Sequence, residues 1–406
     1  MFQKLLEPFS ALKNRAFAFL YFAQTISLLG DAFTWVGLAL LAYQFDKDRS
    51  AIILATALTL RVTAFIIFSP FAGVVADRID RKTILYATHF ARMVVVGYFP
   101  FVTHEWQIYG LAFLLNVFNA FFTPTYRAVI PQIIEGKYYR EAVGLSTATY
   151  QLLGILGPAM AGALAVWFGA KEIFWIDAAS FVIAAILIIL VPRHELQKGV
   201  SAESRQSSQT WTDVLHGIQL LFGNGLLRFA LCIEFVSAIA GATILVNTIS
   251  QVKSGLQLND TQYGWAMAAF AIGAAFAAFF AGIYDKSKSR RVSLIGGVTL
   301  LGVSICFANF VPIVGLVILW VFAGLGQSLA EMPSETLIGE NIPSADQGKV
   351  YGSHFAFSHL WWAIAYPIAG YLGTTFPTVD FMLSGLLTLG CAGITLLVFR
   401  AGSEIG

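Results

Sequence analysis

Long apolar runs alternate with short polar segments along the whole chain. Each run has about 20 residues or more, which is enough for a helix to cross a hydrocarbon layer of about 30 Å. The pattern therefore predicts an all-α integral membrane protein with twelve transmembrane helices. The predicted spans are 17–43, 52–75, 83–103, 106–126, 142–168, 172–191, 226–250, 262–284, 291–311, 313–331, 350–372 and 379–399.

One polar segment, between the sixth and seventh runs, is much longer than the others. Its centre, KGVSAESRQSSQT, is rich in serine and almost without apolar residues, which is typical of a flexible linker. The following WTDVLHGIQLLF has apolar residues at helical spacing and predicts a helix on the membrane surface. We expect a six-helix bundle at 1–191, a cytoplasmic linker with an amphipathic helix at 192–225, and a second six-helix bundle at 226–406.

Composition supports this interpretation. Hydrophobic residues make up 57% of the chain and charged residues only 12%, about half the charged fraction of a soluble protein. The basic residues form no separate stripe, so nucleic acid is not expected as a partner. The three cysteines lie far apart in apolar runs, which favours packing over a metal site or disulfide. No GxxxxGK[ST] loop occurs, and we expect no cofactor.

The distribution of basic residues predicts the orientation. Most of the 25 Lys and Arg residues fall in segments on the same side of the predicted membrane as the N-terminus. By the positive-inside rule, both termini are expected in the cytoplasm. The first apolar run continues past the length of a signal peptide without a small-residue cleavage site, so we interpret it as the first span.

The two halves of the chain resemble each other at three places. FAGVVADRIDRK after span two corresponds to FAGIYDKSKSRR after span eight, and TPTYRAVIPQ corresponds to MPSETLIGENIP at the ends of spans four and ten. GPAMAG in span five corresponds to YPIAG in span eleven. The shared order indicates an internal duplication and two pseudo-symmetric bundles, an architecture typical of transporters.

The loop after span two also carries a family resemblance. Its pattern GxxxDRxxRK, formed by Gly73, Asp77, Arg78, Arg81 and Lys82, resembles the signature of the major facilitator superfamily. LLGDAF in span one and the region FFTPTYRAVIPQIIEGKYYREAVGLSTATYQLLGILGPAMAGAL resemble the third drug:proton antiporter family, with its macrolide-efflux and enterobactin-exporter-like members. This resemblance implies export of a drug-like amphipathic molecule across a bacterial inner membrane, by proton antiport and alternating access.

We interpret the signature loop as a conformational latch. Asp77 would reach a helix N-terminus of the other half, while Arg78 and Arg81 hold that carboxylate in place. The set comprises Gly73, Asp77, Arg78, Arg81 and Lys82, with Asp285 as the counterpart in the second half. The alternative is a solvated turn that only separates two helices.

Ionisable residues inside the spans are candidates for proton coupling, because a charge in the bilayer is costly unless it is paired or wetted. Asp31 and Arg61 have similar predicted depths and could pair, either to exchange a proton or as a permanent structural pair. Arg92 and Glu234 could line the inner cavity, although Arg92 could instead snorkel to the surface. Asp177 is interpreted as wetted or helix-capping, and Glu331 as paired with loop bases.

Polar and aromatic residues could complete a substrate cavity, with lipid-facing or packing roles as the alternative. His354 and His359 are five residues apart and do not form a metal pair, so hydrogen bonding or a proton relay is expected. The cavity candidates are Asn116, Asn119, Tyr150, Gln151, His354, His359 and Trp362. In span five, Gly154, Gly157, Pro158 and Gly162 are candidates for a hinge, or for simple close packing.

Several alternatives remain open from the sequence. The same fold could export a siderophore, a metal or a lysolipid, or act as a uniporter without proton coupling. A non-transporting receptor or scaffold would keep the fold but would not need charges at mid-membrane. An enzyme is disfavoured because no nucleophile, base and orienting group cluster together. We expect a monomer whose partners are the lipid bilayer, a small-molecule substrate and protons.

The latch hypothesis makes a direct prediction. Asp77→Asn should change the populations of inward-open and outward-open states, because the neutral amide interacts more weakly with a helix N-terminus. Cysteine accessibility from each side of the membrane measures these populations. An unchanged accessibility pattern would reduce the loop to a spacer.

Overall fold

The protein is helical throughout the part that the structure describes. This computed structural model describes residues 7–134, 137–197, 211–284 and 290–401, with only the backbone at some positions, among them 72–74, 76–78 and 278–284. No strand occurs within these ranges. The long helices are α1 (Arg15–Phe45), α2 (Ser50–Arg78), α3 (Arg81–Tyr98), α4 (Glu105–Ile133), α5 (Lys137–Phe168), α6 (Ile173–Leu190), α7 (Gly225–Ser250), α8 (Asp260–Tyr284), α9 (Arg290–Cys306), α10 (Ile313–Asn341), α11 (Ser344–Thr375) and α12 (Asp380–Ala401).

Each predicted span coincides with one of these helices. Among the described residues, nine helices are long and apolar enough to cross a membrane. The long helices outside that set are α5, α8 and α11. The helical positions of the apolar runs are thus confirmed, while the number of twelve membrane crossings and the cytoplasmic termini stay predictions.

Polar side chains mark where two of the helices begin. Asn224 precedes α7, and its side-chain oxygen accepts hydrogen bonds from the backbone N–H groups of Leu226 and Leu227 at 2.9 and 3.1 Å. Before α4, the backbone N–H of His104 donates to the side chain of Gln107 at 2.9 Å. These contacts satisfy amides that have no partner within their own helix.

The contacts divide the chain into two compact units. The first contains residues 1–41 and 63–207, and the second contains 42–62 and 208–406. The end of α1 and the beginning of α2 therefore belong to the second unit. The predicted domains at 1–191, 192–225 and 226–406 follow chain order, and that division stays a prediction.

The first unit is built on α3, which packs against α4 and α6. Its apolar core includes the fully buried residues Phe17, Leu20 and Ile188 from α1 and α6. The side chain of Lys82 is also buried, and its ammonium donates to the carbonyls of Ile189 and Val191 at 2.6 and 2.7 Å. Because the C-terminal end of a helix carries partial negative charge, this contact anchors the start of α3 to the end of α6.

In the second unit, α10 packs closely between α8 and α9. A Cβ atom on Gly324 would collide with the backbone carbonyl of Phe270, and one on Gly273 with that of Val321. The absence of side chains at these two positions allows the backbones of α8 and α10 to touch. Such small-residue contacts are how helices associate where lipid removes the hydrophobic driving force.

The ends of α1 and α2 that belong to the second unit contact α7 and the helical turn Gln251–Gly255 that follows it. The hydroxyls of Ser50 and Ser250 are 2.9 Å apart, and those of Tyr43 and Ser254 are 2.8 Å apart. Gly370 in α11 lies so close to α2 that a Cβ atom there would collide with the side chain of Ala55.

A short helix, Trp211–Gly223, precedes α7 at the position predicted for the amphipathic helix. Its Asp213 carboxylate lies 3.3 Å from the ammonium of Lys349 at the start of α11, and Gly217 packs against the backbone of the same lysine. Lys349 also donates to Asp346 at 3.0 Å, and this hydrogen bond is the main reason that the pKa of Asp346 is lowered. The contacts fasten the short helix to the beginning of α11.

The glycine contact between α8 and α10 gives a stability prediction. Gly324→Ala should lower the free energy of unfolding by about 1–3 kcal/mol, because the new methyl group cannot be accommodated without moving a backbone. Thermal unfolding of the detergent-purified protein measures the effect. Gly296→Ala in α9 is the matched control, since nothing lies within 4 Å of its Cβ position. Equal melting temperatures for the two variants would contradict the interpretation.

Candidate functional site: two buried clusters of charged residues

Arg92 of α3 is the centre of a buried cluster in the first unit. Its side chain is 2% exposed, and its guanidinium lies between the rings of Phe122 and Phe181, 4.6 and 4.5 Å from their centroids. One guanidinium nitrogen donates to Asn119 at 2.7 Å. The other donates to Nδ1 of His89 at 2.7 Å, so that imidazole accepts and is neutral in this arrangement.

Two carboxylates accompany this arginine. Oδ2 of Asp31 lies 3.9 Å from the guanidinium, and the side chain of Asp31 is 20% exposed. Asp177 of α6 is fully buried and lies within electrostatic reach of both Asp31 and Arg92. Its carboxylate accepts hydrogen bonds from Thr34 and, at 2.9 Å, from Ser180. We call the set Asp31, His89, Arg92, Asn119 and Asp177 the arginine cluster.

Glycine makes this arrangement possible. A Cβ atom on Gly30 of α1 would collide with the carboxylate of Asp177 and the hydroxyl of Ser180. The backbone of α1 can therefore approach α6 closely enough for Thr34 to reach Asp177. The expectation that Asp177 would be wetted or helix-capping is wrong, because the close approach replaces water with these hydroxyls. The snorkelling alternative for Arg92 is also wrong, because its side chain is enclosed.

A second cluster lies between α7, α10 and α11 of the second unit. Oε1 of Glu234 is 2.8 Å from Nε2 of His354, and the two side chains are 6% and 13% exposed. The sequence marked both residues as candidates without connecting them. The structure brings them together because α7 packs against α11.

Glu331 of α10 belongs to the same second cluster. Its carboxylate accepts hydrogen bonds from Ser237 at 3.2 Å and from the side-chain amide of Gln327 at 3.1 Å, and it lies within electrostatic reach of Glu234. The expectation that Glu331 pairs with loop bases is therefore wrong. The helix continues from Glu331 to Asn341, almost three turns, so Glu331 does not lie at the helix end. We call Glu234, Gln327, Glu331 and His354 the glutamate cluster.

Arg61 and His359 also lie in the second unit. Nδ1 of His359 donates to the carbonyl of Phe355 at 2.9 Å, and its ring is 4.0 Å from the Phe355 ring. Arg61 lies close enough to His359 and Tyr366 to interact with them electrostatically. Asp31 belongs to the first unit, so its expected pairing with Arg61 stays a prediction, while its contact with Arg92 is established.

The remaining cavity candidates have varied surroundings. Asn116 is fully buried and donates to the carbonyl of Ala112 at 2.8 Å, whereas Tyr150 is exposed. Trp362 is half-buried, and its ring faces Gly241 of α7. The side chain of Gln151 lies outside the described residues.

The hinge candidates lie in α5, which contains Pro158. A Cβ atom on Gly157 would collide with the side chain of Ala32, so α5 approaches α1 closely at this point. Gly162 is buried, whereas Gly154 faces open space. Close packing therefore explains Gly157, and bending during transport stays a prediction for the group.

The latch candidates are described only in part. Lys82 caps α6, as given above. Within the described residues, Nε and Nη1 of Arg81 are buried without a hydrogen-bond partner. Only the backbone is described at Gly73, Asp77 and Arg78, and Asp285 lies outside the described residues. The latch stays a prediction.

Sequence reasoning missed part of both clusters. His89 was not singled out, although it lies three residues before Arg92 and so on the same helical face. Ser237 and Gln327 are uncharged and do not stand out in apolar spans. Asp177 was noticed but misinterpreted. It is the single ionisable residue of Ile173–Leu190, and this isolation was the available signal.

The arginine cluster predicts a stability effect. Arg92→Gln should lower the free energy of unfolding by about 3–5 kcal/mol, because it leaves two carboxylates without the guanidinium. Adding Asp177→Asn should restore part of the loss, since it removes one of these charges. Arg193→Gln is the control, because Arg193 is 67% exposed and 3.8 Å from Asp80, and such exposed pairs contribute little. Thermal unfolding of the wild type, Arg92→Gln, the double variant and Arg193→Gln measures these differences. No recovery in the double variant would contradict the electrostatic explanation.

Comparison with known sequences identifies relatives over most of the chain. An MFS-type transporter, YfiS of Bacillus subtilis, is 28% identical over 351 residues, which cover 82% of this chain and 80% of the relative. Macrolide efflux protein A of Streptococcus pyogenes is 24% identical over 341 residues, covering 81% and 82%. Multidrug efflux pump Tap of Mycolicibacterium fortuitum is 24% identical over 314 residues, covering 73% and 74%.

Solved structures share the fold at low sequence identity. The nucleoside transporter NupG superimposes with a TM-score of 0.71 at 15% identity, covering 94% of this chain and 98% of NupG. A POT family transporter in complex with 5-aminolevulinic acid has a TM-score of 0.73 at 10% identity, covering 95% and 96%. The family profile of the Major Facilitator Superfamily matches residues 20–251 and 230–404. The chain therefore belongs to the Major Facilitator Superfamily and is a multi-pass membrane transporter of small molecules, not an enzyme.

Proposed function

We propose that this transporter is a secondary exporter of the bacterial inner membrane that moves an amphipathic, drug-like molecule outward in exchange for protons. The arginine cluster is the observation that carries this proposal. Two carboxylates lie near one guanidinium there, and His89 is neutral, so the ionised cluster has a formal charge of −1. A buried excess charge is costly, and one bound proton removes it.

The two carboxylates have different surroundings, which suits proton exchange. Asp31 is partly exposed, whereas Asp177 is enclosed and hydrogen-bonded to Thr34 and Ser180. Asp31 is therefore the group that protons and solvent reach. Protonation of Asp31 weakens its attraction to Arg92 and leaves Asp177 as the partner of that guanidinium. Protonation of Asp31 is thereby linked to the packing of α1 against α3 and α6.

Export of a drug-like molecule is supported by the relatives. Two of those described above are named as efflux proteins, one for macrolides and one for multiple drugs. The duplicated sequence halves support alternating access, since repeats of this kind move against each other in transporters. We propose a monomer with both termini in the cytoplasm, without a cofactor. A uniporter of the same fold is the second candidate, and it would not use the excess charge of the arginine cluster.

Transport by variants of Asp31 tests proton coupling. In inverted membrane vesicles with an imposed pH gradient, Asp31→Asn should reduce uptake of a radiolabelled macrolide at least tenfold, because the amide cannot exchange a proton. Counterflow of the same macrolide without a gradient should continue, since substrate exchange needs no net proton movement. Asp48→Asn, in the exposed turn between α1 and α2, is the control with unchanged uptake. Gradient-driven uptake at the wild-type rate in Asp31→Asn would remove Asp31 from the coupling mechanism and favour the uniporter.

A further inference from the structure

The glutamate cluster contains hydrogen-bond acceptors that lack donors. Among the described residues, Oε2 of Glu234 and Oε1 of Gln327 are buried without a hydrogen-bond partner. The two residues are 6% and 9% exposed. A buried acceptor without a donor costs about 1–3 kcal/mol, and more for a charged group. A donor supplied by a ligand would remove this cost.

These acceptors lie along facing sides of two helices. Glu234, Ser237 and Gly241 are spaced by three and four residues and share one face of α7. Gln327 and Glu331 are four residues apart on α10. Ser237 donates to Glu331, and a Cβ atom on Gly241 would meet both Gln327 and the ring of Trp362. The two helices therefore bring the acceptors to one surface, which also includes an aromatic ring of α11.

That ring belongs to an aromatic stripe on α11. Phe355, His359, Trp362 and Tyr366 follow at helical spacing. Two pairs of these rings are in contact, with centroids 4.0 Å apart for Phe355 and His359 and 5.4 Å apart for Trp362 and Tyr366. The faces of such rings attract cations. The stripe thus supplies apolar area next to the unpaired acceptors.

The charges around this surface favour a cation at one end. Glu234 and Glu331 are the acids, His354 contacts Glu234, and Arg61 reaches His359 and Tyr366. With neutral imidazoles, two carboxylates and one arginine give a formal charge of −1. Arg61 would repel a cation near Tyr366, so the favourable position is at Gln327 and the glutamates.

We propose that this surface binds a protonated amine of the transported molecule. The ammonium donates to Glu234, Gln327 and Glu331, and the apolar part of the molecule lies against Trp362. An ammonium fits because it combines positive charge with several N–H donors, and charge-assisted hydrogen bonds are the strongest of this type. The inference rests on the proposed function, since it names the substrate class of that exporter as amphipathic amines.

Three probes of similar size separate charge from shape: 2-(1-naphthyl)ethylamine, 2-(1-naphthyl)ethanol and 1-naphthylacetate. Equilibrium binding is measured at pH 7 with the full chain in nanodiscs of zwitterionic lipid, and empty nanodiscs correct for partitioning. The amine should bind at least about tenfold more tightly than the alcohol, a difference of about 1.4 kcal/mol. Equal affinities of the amine and the alcohol would overturn the proposal. Tightest binding of the acetate would also overturn it, because the positive charge of Arg61 would then determine which ligand binds.

Variants assign the effect to the acceptors. Glu331→Gln and Glu234→Gln should each weaken binding of the amine about tenfold and leave binding of the alcohol unchanged. Glu340→Gln is the matched control, because Glu340 lies in the same helix as Glu331 but is exposed and contacts Arg290. Equal weakening of amine and alcohol would indicate a structural role and contradict the site. Thermal unfolding shows that each variant is folded before it is used.

These measurements are independent of transport. Amine-selective binding together with absent gradient-driven uptake would leave the site standing and reject the proton-coupled exporter. Gradient-driven uptake of a macrolide without amine-selective binding would reject the amine site and leave the proton-coupled exporter standing.

Discussion

The proximity of one guanidinium to two carboxylates in an apolar surrounding is the constraint on which the first unit depends. Arg92 is enclosed by Phe122 and Phe181, so no water shell can stabilise its charge. Asp31, Asn119 and His89 compensate for that loss directly. These partners come from three helices, α1, α4 and α3. The cluster therefore specifies packing as well as charge, since an error in packing would leave an ion without a partner.

Close backbone contacts make such polar clusters possible in both units. Gly30 allows α1 to approach the carboxylate of Asp177, and Gly241 allows α7 to approach Gln327 and Trp362. Where the contact is purely between backbones, as at Gly273 and Gly324, glycine acts on helix packing alone. Small residues thus serve two purposes in this chain: they join helices, and they shorten the distance over which polar side chains must reach.

The two clusters are similar in composition. Each cluster contains two acids and a histidine. The arginine cluster has a formal charge of −1 when its imidazole is neutral, and the glutamate cluster has the same charge only when Arg61, which lies near His359 and Tyr366, is counted with it. Both clusters contain buried polar atoms without a hydrogen-bond partner among the described residues. They differ in charge compensation: the acids of the arginine cluster lie near a guanidinium, whereas the hydrogen bonds of Glu234 and Glu331 come from a histidine, a serine and a glutamine. This contrast assigns proton exchange to the first and binding of a donor-bearing ligand to the second in our proposals.

The sequence by itself determined the helical class, the positions of the long helices that the structure describes, the signature loop and most of the ionisable candidates. Helix positions are accessible because apolar length is a local property of the chain, and backbone groups in lipid must bond within their own helix. Only the tertiary structure decided which side chains contact each ionisable residue. Asp177 is shielded from water because Gly30 lets the backbone of α1 lie against it. Glu234 contacts His354, which lies more than a hundred residues away in the sequence. Those facts depend on the rotation and approach of helices, which apolar periodicity leaves open when a helix is apolar on every side.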